Sequence, residues 1–103
     1  MNSYIMRFDF YTPSEISQIL GQRLKQHRLL QNLTQVQLAE QIGVGLSTVV
    51  RIESGKGGTL ENILHIAIGL GLINEFTDLF NQKPKTVEEI LQRQTLRQRA
   101  SGK

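Results

Sequence analysis

The fold of this chain is decided by residues 33–56, which read LTQVQLAEQIGVGLSTVVRIESGK. Apolar residues recur at helical spacing over 34–42, which predicts a short helix capped by Thr34. Gly43 can adopt the left-handed conformation that ends a helix. A second short helix is predicted over 46–54, with Val49 and Ile52 turned inward. The turn between them is about three residues long, so the second helix leaves at a steep angle and its outer face is exposed.

A longer helix is predicted ahead of this pair. Thr12 is a favourable N-cap, Pro13 suits the first helical position, and Glu15 stands three residues after the cap. Ile16 begins an apolar stripe at spacings of three and four, and the helix should end near residue 31 or 32. For residues 4–11 two interpretations stay open, a short strand or an apolar arm packed on the domain.

Further helices are predicted behind the pair. One begins at Thr59 and ends at Gly71, and residues 72–81 hold a fifth helix. After a polar linker, Thr86 and Glu89 form a capping box that opens a last helix. The sequence therefore predicts an all-α fold without strands in the core. A five-helix domain spans 12–81, an N-terminal arm spans 1–11, and a linker with a basic helical tail spans 82–103.

Composition excludes several classes of function. The chain has 103 residues, 39% of them hydrophobic and 20% charged, which suits one packed domain. It has no cysteine, so disulfides and cysteine-ligated zinc are excluded, and two isolated histidines predict no metal site. We expect no enzyme activity and no cofactor, because no nucleophile, base and acid fall into a recognisable pattern. No membrane span or signal peptide is predicted, and we expect a cytoplasmic protein.

Charge is distributed unevenly along the chain. Residues 21–58 carry five Lys or Arg against two Asp or Glu, and residues 81–103 carry six against two. Residues 59–80 carry three acidic residues and no Lys or Arg. This asymmetry favours a polyanionic partner that binds one face of the molecule.

Within 33–56 the residues resemble the Xre/Cro-type helix-turn-helix of the lambda-repressor-like fold. The matching pieces are Thr34-Gln35, Leu38-Ala39, Ile42-Gly43-Val44, Ser47-Thr48-Val49, Arg51-Ile52-Glu53 and Gly55-Lys56. The resemblance extends over about residues 16–80. It implies a sequence-specific repressor that binds double-stranded DNA, with a recognition helix over about 46–54 in the major groove.

The resemblance also implies roles for single residues. Gln35 would bind a phosphate, helped by the positive end of its helix. Ser47, Thr48 and Arg51 would lie on the exposed side of the recognition helix. Arg51 is the best candidate for reading a base, because a guanidinium matches the two acceptors on a guanine edge. Leu46 would either contact a thymine methyl or merely pack, and both alternatives stay open.

Two further groups follow from the same resemblance. Ser54, Lys56 and the backbone of residues 57 and 58 would meet the sugar-phosphate chain, which sets register without reading sequence. Arg28 and Glu53 match a pair that in this family forms a structural salt bridge. Glu53 left unpaired would repel phosphate, which also favours the pair.

One recognition helix reads only a few base pairs, so we expect a homodimer on a palindromic operator. Two segments are candidates for the dimer contact. The first is the apolar set Leu72, Ile73, Phe76 and Phe80, and the second is the aromatic arm, residues 4–11. The alternative for both is that they cover the core of one monomer.

The layout of a compact helix-turn-helix domain with a polar tail also resembles HipB-like antitoxins. That resemblance implies an alternative function, an antitoxin that represses its own operon and neutralises a HipA-like kinase toxin. A third interpretation is an interaction module that keeps the fold without binding DNA. It is disfavoured because Gln35, Arg51 and Lys56 stand where DNA contact needs them.

Overall fold

The computed structural model describes residues 6–82 and 87–101, and in this part of the chain all regular structure is helical. The all-α prediction is confirmed. The five α-helices are α1 (Pro13–Leu30), α2 (Gln35–Ile42), α3 (Leu46–Glu53), α4 (Leu60–Gly69) and α5 (Val87–Ser101). Two short 3-10 helices, Phe8–Phe10 and Ile73–Phe76, lie before α1 and after α4.

The starts of α1 and α2 are fixed by reciprocal side-chain bonds. The Glu15 amide donates to Oγ1 of Thr12 at 3.1 Å, and the Thr12 amide donates to Oε1 of Glu15 at 2.9 Å. Thr34 and Gln37 repeat the arrangement at 3.0 and 2.9 Å. Each box satisfies amides that the helix itself leaves without a partner. The predicted starts of both helices are confirmed.

The turn between α2 and α3 is tight because Gly43 adopts a φ of 74°. Its amide donates to the Ala39 carbonyl at 3.0 Å, which closes α2. Gly45 then caps α3 with extended backbone, and Leu46 is already helical. Three residues therefore turn the chain from one helix into the next.

The core lies where α2, α3 and α4 meet. Leu38, Val49 and Ile66 are fully buried, one from each helix. Helix α1 closes the other side of α3, and here the two backbones touch. A Cβ at Gly21 would lie 2.3 Å from the Ile52 carbonyl oxygen, so only glycine fits. Helix α3 is thus held from its inner side, and its outer face is left to solvent.

The predicted fifth helix over 72–81 is wrong. Only Ile73–Phe76 is helical, as a 3-10 turn, and the backbone bonds over this stretch join residues three apart. Asn74, Thr77, Asp78 and Asn81 explain this, because short polar side chains compete with the backbone for hydrogen bonds and disfavour helix interiors. Phe80 adopts a φ of 59°, which an α-helix does not allow.

The strand interpretation of the arm is wrong for Phe8–Phe10, which form a 3-10 helix. The described part of the arm packs on α1 instead. The guanidinium carbon of Arg23 lies 5.7 Å from the centre of the Phe8 ring, and its Nη2 donates to the Met6 sulfur at 3.4 Å. Residues 4 and 5, like the Thr86 half of the last capping box, lie outside the described residues. In the ranges described, no helix is long and apolar enough to cross a membrane.

Candidate DNA-binding surface

Helix α3 has one buried and one exposed side. Val49, Ile52 and Glu53 are buried, and Thr48 is half-buried. The exposed side chains are those of Leu46, Ser47, Val50 and Arg51, followed by Ser54 just after the helix. All the residues that sequence analysis assigned to base reading are thus on one short helix, and only Thr48 is partly covered.

Glu53 is the only acidic residue of α3, and it is turned away from the exposed side. Its Oε2 accepts from Nε of Arg28 at 2.6 Å and its Oε1 accepts from Nη2 at 2.9 Å. Arg28 also donates through Nη1 to the Leu33 carbonyl at 2.7 Å. The hydrogen bond to Glu53 raises the pKa of Arg28 above its ordinary value, so this buried guanidinium stays charged. The pair that the family resemblance implied ties α3 to α1.

Gln35 joins the same network from the start of α2. Its Nε2 donates to Oε1 of Glu53 at 3.0 Å, a bond that sequence analysis missed. The residues are 18 positions apart, so no local pattern could have revealed it. The bond uses one of the two amide hydrogens and leaves the other for a ligand beside the helix start. Glu53 therefore orients the side chain expected to bind a phosphate.

The Arg51 side chain is exposed, but a hydrogen bond restrains it. Its Nη2 donates to the Lys56 carbonyl at 3.0 Å, across the end of α3. A guanidinium has five N–H donors, so one such bond leaves most of them available. The bond holds the guanidinium beside the loop that follows the carboxyl end of α3.

The Ser54 hydroxyl is engaged by carbonyl groups of α3, the helix that it follows. Its Oγ lies 2.8 Å from the Val50 carbonyl oxygen and 3.1 Å from that of Arg51. A hydroxyl has a single hydrogen to donate, and a phosphate oxygen needs a donor. A phosphate contact by Ser54 would require its hydroxyl to rotate away from α3.

The loop after α3 is pressed against α1. Gly55 has a φ of 78°, and a Cβ there would lie 2.6 Å from Cα of Gln18. Gly57 has a φ of 95°. This close path places Lys56 at the surface beside the end of α3. In the described chain the amides of Gly57 and Gly58 donate to no backbone carbonyl.

The four residues predicted for dimerisation differ in how far their side chains are exposed to solvent. Leu72 packs on the core, and Ile73 and Phe76 are half-buried. Phe80 is 98% exposed. Only one of the four therefore presents its whole side chain to solvent.

Comparison with known families agrees with this geometry. Residues 24–72 match the helix-turn-helix family. The matched stretch runs from within α1 to just beyond α4, so it contains the helix-turn-helix pair α2 and α3 and the Arg28–Glu53 bridge. The match indicates a DNA-binding regulator of transcription. No curated protein sequence matches the chain.

Proposed function

We propose that this protein is a sequence-specific transcriptional repressor that binds a palindromic operator as a homodimer. The observation that supports it best is the outer face of α3, which carries Ser47 and Arg51 one turn apart and no acidic side chain. The helix-turn-helix match over residues 24–72 agrees with this use of α3.

In this proposal α3 lies in the major groove, and groups at its two ends hold the DNA backbone. Gln35 donates its second amide hydrogen to a phosphate at the start of α2. Lys56 and the amides of Gly57 and Gly58 contact the strand at the other end. Arg51 reads a guanine through two donors, and Ser47 and Thr48 contact neighbouring base edges.

Two copies would read two half-sites about one helical turn apart, roughly 34–36 Å. A single α3 contacts too few base pairs to distinguish one site from a genome of competitors. Phe80 supports the dimer, because burying its almost fully exposed ring against a second copy would remove apolar surface from water, which is favourable. Bound at a promoter, such a dimer would block transcription.

A gel-shift titration tests the proposal with the full chain at physiological salt. The probes are the DNA directly upstream of the gene and a random duplex of the same length. We expect the upstream DNA to bind at least about 1,000-fold more tightly. Equal affinity for both probes would refute sequence-specific repression.

A further inference from the structure

We propose that Leu46 and Val50 form an apolar strip that reads thymine methyl groups. These thymines lie close to the guanine that Arg51 reads. The inference deepens the proposed function and rests on it, because it requires α3 to lie in the major groove. It gives the operator a chemical feature that neither the fold nor the family match assigns.

The two side chains share one flank of α3. They are four residues apart, which at about 100° per residue places them within about 40° of each other around the helix. Leu46 is 45% exposed and Val50 is 41% exposed. Ser47 and Arg51 form the next row around the helix, so the apolar strip lies directly beside the polar row.

Core packing does not account for this strip. The positions of α3 that serve the core are Val49 and Ile52, which are 0% and 5% exposed. One exposed apolar residue on a protein surface is ordinary. Here two such residues lie one turn apart, beside the residues proposed to read DNA. Together they form a continuous stretch of that face that can neither donate nor accept a hydrogen bond.

The chemistry of the groove then selects the base. Thymine is the unmodified base that presents a methyl group in the major groove. The edges of guanine and cytosine present only acceptors and a donor there, and covering them with Leu46 or Val50 would remove water without replacing its hydrogen bonds. The strip therefore favours thymine.

The distance along α3 places this thymine relative to the guanine. Val50 adjoins Arg51, and Leu46 precedes it by about 7.5 Å at 1.5 Å per residue. Base pairs are about 3.4 Å apart along the duplex. The methyl-sensitive positions should thus fall within about two base pairs of the guanine.

The test removes the methyl group alone. A duplex is first selected from a random pool by the full chain, and each thymine of one half-site is then replaced by deoxyuridine. We expect about four-fold weaker binding for each thymine methyl that the strip covers, at one or two positions. At each such position the difference between the thymine and uracil duplexes should disappear in Leu46→Ala or in Val50→Ala, whichever variant has lost the side chain that covers that methyl group. Ile68→Ala, which shortens an exposed apolar side chain on α4 away from the proposed DNA surface, is the matched control and should keep the difference.

Several outcomes would overturn the inference. One is a selected duplex whose affinity is unchanged by uracil at every position, or whose half-sites hold no thymine near a guanine. Another is a uracil effect that survives in both apolar variants. In these cases the proposed function stands, because the selected duplex is still preferred over random DNA. A chain that selects no sequence would remove the proposed function as well.

Discussion

At the scale of single residues, Glu53 connects three helices. It belongs to α3, pairs with Arg28 of α1, and accepts a bond from Gln35 of α2. A buried carboxylate is tolerated only with such partners, because desolvation penalises its charge. The same bonds that compensate the charge of Glu53 join the end of α3 to α1 and to the start of α2.

Glu53→Ala should lower the free energy of unfolding by about 3–5 kcal/mol, because it leaves the Arg28 charge buried without a partner. Urea denaturation measures the change. Asp9→Ala is the matched control, because both side chains of the Arg7–Asp9 pair are exposed to solvent. Exposed ion pairs contribute little to the free energy of unfolding. Equal stability of the two variants would show that the buried bridge is not structural. The double variant Arg28→Met, Glu53→Met should recover most of the stability, because no charge is then stranded.

Arg51 and Lys56 are predicted to contribute in different ways. Arg51→Ala should cost about 1–3 kcal/mol on the operator and relax the preference at one base pair, because the alanine cannot bond to a base edge. Lys56→Ala should weaken operator and random DNA alike and lower the slope of affinity against salt by about one, because one fewer phosphate is neutralised. Titrations on both duplexes at several salt concentrations measure this. An equal decrease on both duplexes for Arg51→Ala would remove it as a reader.

At the scale of elements, the recognition helix is positioned by backbone contact as well as by side chains. Gly21 lets α1 approach the carbonyls at the end of α3, and Gly69 lets α4 approach Ile42 of α2. Gly21 lies inside α1, where glycine is intrinsically unfavourable, whereas Gly69 is the last residue of α4. Close packing between helices therefore outweighs local propensity at Gly21.

Gly21→Ala tests that balance. Alanine would favour α1 by about 1 kcal/mol. Its methyl group cannot fit 2.3 Å from the Ile52 oxygen, so we expect a net destabilisation of about 1–3 kcal/mol. Gln22→Ala, at the exposed neighbouring position of the same helix, is the control and should be nearly neutral. Thermal unfolding compares them, and a Gly21→Ala protein as stable as the control would contradict the close approach of α1 to α3.

At the scale of the whole molecule, the described surface holds two exposed phenylalanines at different places in the chain. Phe80 follows α4 and Phe10 lies in the arm, and they are 98% and 77% exposed. They represent the two segments that sequence analysis offered for dimerisation. The half-burial of Ile73 and Phe76 leaves Phe80 as the main candidate in the first segment.

Phe80→Asn should shift the chain from dimer to monomer while leaving the unfolding of the monomer almost unchanged. Asparagine suits the left-handed backbone at this position, so the variant removes the ring without adding strain. Light scattering at several concentrations measures the mass. Phe10→Asn is the matched variant and should remain dimeric. The reverse result would assign the interface to the arm.

The sequence by itself determined the local features of this protein. Thr12 and Thr34 fixed helix starts, and Gly43 fixed the turn, because a cap or a left-handed residue acts on its immediate neighbours. The order of α1 to α4 followed from apolar spacing. Over 72–81 the local features conflict. Apolar spacing predicted an α-helix, but the short polar residues between the apolar positions prevented it.

Only the tertiary structure decided the interactions that prepare the site. The Gln35–Glu53 bond joins two helices, and neither partner has a local feature that predicts the other. The bond from Arg51 to the Lys56 carbonyl and the inward turn of the Ser54 hydroxyl depend on how the chain leaves α3. The toxin partner stays a prediction. Interactions within one helix are encoded by spacing, whereas those between helices exist only once packing has brought distant residues together.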